Sequence, residues 1–274
     1  MGPPTDVHDA FNAEGAFPSI VDSIMTRTLR TFALFAVLAL ATPAVAHDGQ
    51  VAAIRATQAA AALQTYNDNL RDAGRRPDYT SVPAADLLRA VFDTDRLAAL
   101  PEPTAKDIGW LMDWGNAASR GYKQILLFGL PPGQKPDEAT MTRNLEAYEG
   151  EVATAMNFMV RVLARQMDAA ALFISELPKT ELTPARIEGF RMVRSGSGEV
   201  LEGALLTVAQ GMKPRNAQLV MAAAGDTRST WIHGLYPEDR TKVMRLLKEI
   251  VKRVGDKEVT DSAAVLLTAF ATEK

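Results

Sequence analysis

The stretch Met141–Glu176, MTRNLEAYEGEVATAMNFMVRVLARQMDAAALFISE, decides the fold, because it contains no proline and its only glycine is Gly150. Its apolar residues recur at the i, i+3, i+4, i+7 spacing of an amphipathic α-helix, at Leu145, Tyr148, Val152, Met156, Met159, Val160, Leu163, Met167, Ala170, Ala171 and Ile174. Phe158 and Phe173 widen this apolar stripe, so we expect the helix to be covered on more than one side. At about 1.5 Å per residue it would be about 50 Å long and would form the centre of the fold.

Shorter helical patterns lie on both sides of this stretch, in residues 48–73, 83–100, 104–126, 184–208, 218–224, 237–254 and 260–271. No part of residues 47–274 alternates with the period of two that indicates a strand. We therefore predict an all-α bundle of about seven or eight helices with one long central helix. Residues 47–274 are expected to form a single domain, in which the loop Leu130–Pro136 precedes the long helix.

Residues 25–46, MTRTLRTFALFAVLALATPAVA, have the pattern of a signal peptide. Arg27 and Arg30 precede a short apolar run, and Ala44-Val45-Ala46 matches the small-x-small cleavage pattern. The run is shorter than the roughly 20 residues that span a bilayer. We predict cleavage after Ala46 and a soluble periplasmic or secreted protein. An N-terminal membrane anchor and a buried helix are the alternatives.

Residues 1–24 have no helical period and hold four acidic residues, which export signals disfavour. The simplest interpretation is a non-native, disordered N-terminal extension, with translation starting at Met25. A genuine long segment before the apolar run is the alternative.

Charge and composition exclude several classes of function. Residues 1–46 hold two of the 30 basic and four of the 33 acidic residues, so the mature chain carries a net charge of −1. A near-neutral chain offers no basic face for nucleic acid. The absence of cysteine excludes zinc sites of the usual His/Cys kind. No second apolar run approaches 18 residues, so we expect no membrane span after cleavage.

Sequence motifs for catalysis are also missing. The chain has no G-x-S-x-G nucleophile pattern and neither of the two glycine-rich nucleotide-binding patterns, G-x-x-x-x-G-K-[ST] and G-x-G-x-x-G. The sequence therefore favours a non-enzymatic protein without a cofactor.

Histidine provides one metal-site hypothesis. His47 and His233 are the only histidines after Ala46, and cleavage would make His47 the first residue. Its α-amine and imidazole could chelate copper, with His233 completing a three-nitrogen site. The competing interpretation is a frayed, exposed terminus. A copper-binding protein or a periplasmic enzyme that uses these two residues is the alternative function.

Tryptophan residues provide two ligand-site hypotheses. Trp110 and Trp114, at i and i+4, share one helix face close to carboxylates, an arrangement that can hold sugars or cations. Packing in the core is the favoured alternative, and an interface is the other. Trp231 belongs to an aromatic segment that is expected to be a loop, which would either bind a ligand or plug one end of the bundle.

Arg161 and Arg165 also lie at i and i+4, on the most apolar helix. The sequence favours an exposed stripe for both residues. If they are partly buried, they need partners such as Asp168 or an anionic ligand. Taken together, the patterns predict an exported, non-enzymatic helical protein that binds a periplasmic protein or a small ligand. A homodimer built on the long helix is a further alternative.

Overall fold

The computed structural model describes residues 48–131 and 133–273. The regular secondary structure of this part of the chain is helical, with no β-strand, which confirms the all-α class. Its α-helices are α1 (Asp48–Asp72), α2 (Ala84–Val91), α3 (Thr94–Ala99), α4 (Ile108–Leu126), α5 (Glu138–Ala147), α6 (Glu149–Glu176), α7 (Pro184–Ala209), α8 (Pro214–Asp226), α9 (Arg228–Gly234), α10 (Pro237–Arg253) and α11 (Lys257–Thr272). Single 3₁₀ turns precede α4 and α7, at Ala105–Asp107 and Lys179–Glu181.

The helices are more numerous than the seven or eight that the sequence predicts. The segment expected to be one helix over 83–100 is two, because the Asp93 side chain accepts a hydrogen bond from the Arg96 amide and caps a new helix, α3. The aromatic segment at Trp231 is the short helix α9 rather than a loop. The long stretch Met141–Glu176 accounts for the third additional helix.

That long stretch is not one continuous helix, because it breaks at Tyr148, where the backbone has φ −125° and ψ 32°. The Tyr148 ring packs edge-on against Tyr79, with a centroid separation of 4.9 Å. Its hydroxyl donates to the Pro77 carbonyl over 3.4 Å. Both contacts come from a distant loop, so the periodicity of the stretch itself did not indicate the break.

Helix α6 nevertheless lies at the centre of the fold, since 15 of its 28 residues are buried. It packs against α4, α7 and α8, while α1 covers α4 and α10 covers α7. The buried apolar side chains from α1 to α11 belong to one continuous cluster. The prediction of a long central helix is therefore confirmed for Glu149–Glu176, about 42 Å at 1.5 Å per residue.

The segment Ser195-Gly196-Ser197-Gly198 lies within α7, which continues without a break to Ala209. A side chain at Gly198 would come within 3.0 Å of Leu235 and 3.5 Å of Asp239. This glycine therefore allows α7 to approach the start of α10 closely.

No helix within the described ranges is long and apolar enough to cross a membrane. The predicted extension 1–24, the predicted signal peptide 25–46 and His47 lie outside the described residues.

Candidate functional site

Helices α4, α5, α6 and α7 line a cavity of about 440 Å³. Small residues form part of the cavity wall on α4 and α7. Gly115 and Ser119 line it from α4, and Gly203 and Ala204 line it from α7. At Gly115 an added side-chain carbon would lie 3.3 Å from Gln166 Oε1, so this glycine also allows α4 to pack closely against α6. The lining residues Glu138, Thr142 and Glu146 are exposed, so the cavity is open to solvent beside α5.

Most of the cavity wall is apolar, and methionine is its most frequent large residue. The principal apolar side chains are Leu126, Met141, Leu145, Met156, Met159, Leu163, Val200 and Met212. Methionine is unbranched, flexible and polarisable, so such a wall adapts to ligands of different shapes.

One side of the cavity carries three hydrogen-bond donors. Ser119, Tyr122 and Lys123 line it at i, i+3 and i+4 of α4, so they share one helix face. Within the described ranges, none of these three side chains makes a hydrogen bond or an ion pair, although Ser119 is only 8% exposed. These groups are therefore available to a molecule that enters the cavity.

Burial changes the protonation properties of two of these donors. It raises the pKa of the Tyr122 hydroxyl well above its ordinary value, so this group stays protonated as a donor. It lowers the pKa of the Lys123 ammonium, and no neighbouring carboxylate offsets that effect. Lys123 therefore carries a partly desolvated positive charge beside an apolar space.

Three carboxylates also line the cavity, but each of them is already stabilised. The Glu149 carboxylate accepts hydrogen bonds from the Lys213 amide over 2.7 Å and from the Asn216 side chain over 2.8 Å. Glu138 and Glu146 lie on α5 and are exposed to solvent, where water screens their charge.

Helix α5 closes one side of the cavity and is fastened to α4 by Asn144. This side chain is 4% exposed, and its amide donates to the Leu126 and Phe128 carbonyls, each over 2.8 Å. These two carbonyls lie at the end of α4, where no backbone N–H of the same helix is left to donate to them. The start of α5 is capped by Asp137, which accepts from the Thr140 amide over 2.8 Å.

Neither residue of the tryptophan pair, the candidate ligand platform, lines this cavity. Trp114 is fully buried, and its indole donates to the Val91 carbonyl over 3.1 Å. Trp110 is partly buried and donates to Asp107 over 2.8 Å. Its ring packs directly over Gly49, where an added side-chain carbon would come within 2.7 Å of the indole. In this structure the pair packs against α1 and α2.

Trp231 is 1% exposed, and its indole donates to the Thr227 hydroxyl over 2.7 Å. The ring is therefore buried within the protein, and its N–H group already has an acceptor.

The two arginines of α6 are half-buried rather than exposed as a stripe. Arg161 pairs with Asp226 over 2.6 Å. Arg165 donates to the Pro101 and Leu100 carbonyls over 2.7 and 2.9 Å. Both arginines can be half-buried because α8 and the loop after α3 supply hydrogen-bond acceptors for them. The periodicity of α6 carries no information about these acceptors.

Asp168, the expected partner of these arginines, instead accepts a hydrogen bond from the Thr230 hydroxyl over 2.8 Å. Burial raises the pKa of this carboxyl, and the Thr230 hydrogen bond opposes that shift.

His233 has an exposed side chain, and its Nε2 lies 3.8 Å from the Glu273 carboxylate. In the part of the chain that the structure describes, no three histidine or acidic side chains converge as metal ligands would. The geometry of His47 relative to His233 falls outside the described residues.

The cavity residues were not among the sites that the sequence indicated. The available signal was the pairing of Gly115 and Ser119 at i and i+4, in register with Tyr122 and Leu126 on α4. Small residues on an inward face are equally typical of close helix packing, so only the positions of α5 and α7 show that a space remains.

A scan against protein-family models found no match for this chain, and searches of the curated proteins and of the solved structures found none either.

Proposed function

We propose that this chain is an exported helical protein that binds a small, largely apolar molecule in the cavity between α4 and α7 and catalyses no reaction. The observation that carries the proposal is the 440 Å³ cavity with its methionine-rich wall. The signal-peptide pattern of residues 25–46 supports export.

The dimensions of the cavity suit a small ligand. Binding sites for small molecules have volumes of about 300–1,000 Å³ and mostly apolar walls with a few polar groups. Because one water molecule occupies about 30 Å³ in the liquid, the 440 Å³ space corresponds to a molecule of up to roughly 15 non-hydrogen atoms.

The titratable groups around the cavity support binding more than catalysis. Nucleophilic catalysis requires a nucleophile hydrogen-bonded to a base. Lys123 and Tyr122 form no such bond within the described residues, and the Glu149 carboxylate is occupied by Lys213 and Asn216.

Calorimetric titration with decan-1-ol, a neutral molecule of suitable size, tests the binding site. The wild-type protein is compared with Ala204→Phe and the smaller Ala204→Leu, since Ala204 is 2% exposed and lines the cavity. Ala185→Phe, on an exposed position of the same helix, is the matched control. We expect wild type and the control to bind alike and the Ala204 variants to bind at least tenfold more weakly, with circular dichroism confirming that all are folded. Binding that the Ala204 variants leave unchanged would place the ligand elsewhere.

Export is tested separately by the mass of the protein recovered from a bacterial periplasm. A mass that begins at His47 is the expected result. Recovery in the cytoplasm with residues 25–46 attached would contradict export without affecting the cavity.

A further inference from the structure

We propose that the natural ligand is an amphipathic monocarboxylate, whose carboxylate is bound by Ser119, Tyr122 and Lys123 and whose apolar body lies among the methionines. This inference rests on the proposed function, because it assigns a chemical class to the ligand of the same cavity.

The donor set supports a ligand rich in acceptor atoms. Ser119, Tyr122 and Lys123 line the same cavity from adjacent positions of one helical face. Ser119 is more than nine-tenths buried, and its hydroxyl has no partner among the described residues. A carboxylate has two oxygens and about four lone-pair sites, so it can accept from all three donors.

The charges around the cavity favour an anion over a cation. Lys123 is partly desolvated and lacks a carboxylate partner among the described residues. The acidic side chains are either occupied, as Glu149 is, or exposed, as Glu138 and Glu146 are. Glu149 is also paired with the Lys213 ammonium over 3.7 Å, and screening weakens the exposed charges of Glu138 and Glu146. Among the described lining residues Lys123 is the one cation, so the charge on the α4 side, next to Ser119 and Tyr122, is positive.

The size and the lining of the site favour an amphipathic molecule over a small inorganic anion. A phosphate or sulfate ion would occupy the donors and leave most of the 440 Å³ without polar contacts. An alkyl or aryl body would fill that volume and contact Met156, Met159 and Leu163 of α6, which adds apolar burial to the hydrogen bonds.

Three probes of equal chain length separate the contribution of the head group: decanoate, decan-1-ol and decylammonium, each titrated calorimetrically into the full-length protein. A hydrogen bond to a charged group contributes about 1.5–3 kcal/mol, which corresponds to about tenfold to a hundredfold in affinity. We expect decanoate to bind more tightly than decan-1-ol by that factor and decylammonium to bind most weakly.

Lys123→Met tests the cation directly, because methionine keeps an unbranched chain and removes the charge. In this variant we expect decanoate to lose its advantage over decan-1-ol. Arg120→Met is the matched control, since Arg120 lies on the same helix, is exposed and does not line the cavity. It removes the same net charge and should leave the decanoate affinity within about twofold. Tyr122→Phe removes only a hydroxyl and should weaken decanoate by about twofold to tenfold.

The outcomes separate this inference from the proposed function. If decan-1-ol binds and Ala204→Phe abolishes that binding, but decanoate is no tighter, the carboxylate assignment is wrong and the binding cavity stands. Tightest binding of decylammonium, or an equal loss of decanoate affinity in Arg120→Met and Lys123→Met, would overturn the assignment in the same way. If none of the three probes binds, both proposals fail.

Discussion

Replacement of Asn144 by alanine tests whether this residue fastens the wall of the cavity. The variant removes two hydrogen bonds of 2.8 Å, to the Leu126 and Phe128 carbonyls, from a side chain that is 4% exposed. Each such bond contributes about 0.5–1.5 kcal/mol. Alanine restores about 0.5 kcal/mol through its higher helix propensity, so we expect a net loss of about 1.5 kcal/mol.

The loss should concentrate in α5, because Asn144 links that helix to the end of α4. Hydrogen exchange monitored by mass spectrometry measures local opening directly. With 1.4 kcal/mol equal to a factor of ten, the amides of α5 should exchange about tenfold faster in the variant. If the loss is fully coupled to global unfolding, the melting temperature falls by about 3–6 °C for a chain of this size.

Asn69→Ala is the control for this measurement, since Asn69 is an exposed helical asparagine whose side chain makes no hydrogen bond with the described residues. Only helix propensity changes there, so its stability should rise by a few tenths of a kcal/mol. Asn144→Ala and Asn69→Ala with the same exchange rates in α5 would refute the role assigned to Asn144.

Three other variants follow from individual contacts. Gly49→Ala should destabilise the protein by about 1–3 kcal/mol, because the new methyl group would lie 2.7 Å from the Trp110 ring. The control Gly225→Ala has open space around the new methyl group and should stabilise the protein by up to about 1 kcal/mol. Urea denaturation measures the free energy of unfolding of both variants. Asp168→Asn should be more stable than wild type at neutral pH, because burial raises the native pKa of this carboxyl above the ordinary 3.8. The unfolded chain then ionises first, so wild-type stability relative to the variant falls as pH rises from 3.8 through the native pKa and is level above it; an advantage independent of pH would contradict this. Lys123→Met should raise stability at pH 7, because burial lowers the native pKa of the Lys123 ammonium. The gain should shrink as pH rises from the lowered native pKa towards 10.5, and unchanged thermal melts would show that the Lys123 charge is well solvated.

The outline of the fold was predictable where local pattern and packing agree. Helix α10 has an apolar stripe with Val243, Leu246, Leu247 and Ile250 buried, and proline stands at its first turn, so both its position and its inward face follow from sequence. Helix α1 was expected over nearly the residues that it occupies. By contrast, the break at Tyr148 depends on Tyr79 and Pro77, about 70 residues away in the chain. A local pattern carries no information about such distant contacts.

For the tryptophans and arginines too, local spacing predicted the helical face, and distant residues decided the contacts. Their spacing correctly placed Trp110 and Trp114 on one helical face, and only the structure shows that this face packs against Val91 and Gly49. The partners of Arg165 are backbone carbonyls of the loop after α3, and any residue type can supply a carbonyl. Side-chain spacing therefore did not indicate where these arginines would bind.

By itself, the sequence determined the all-α class, the central position of α6 and most helix boundaries, because periodicity, capping residues and prolines act within a few positions of the chain. Only the tertiary structure decided the cavity. Gly115 and Ser119 are compatible with close helix packing as well as with an open space. The difference arises from where α5 and α7 lie relative to α4, and Asn144 sets part of that distance by bonding to carbonyls 16 and 18 residues away. The burial of Lys123 was likewise decided by the tertiary structure, because it depends on neighbouring helices whose positions the sequence of α4 does not specify.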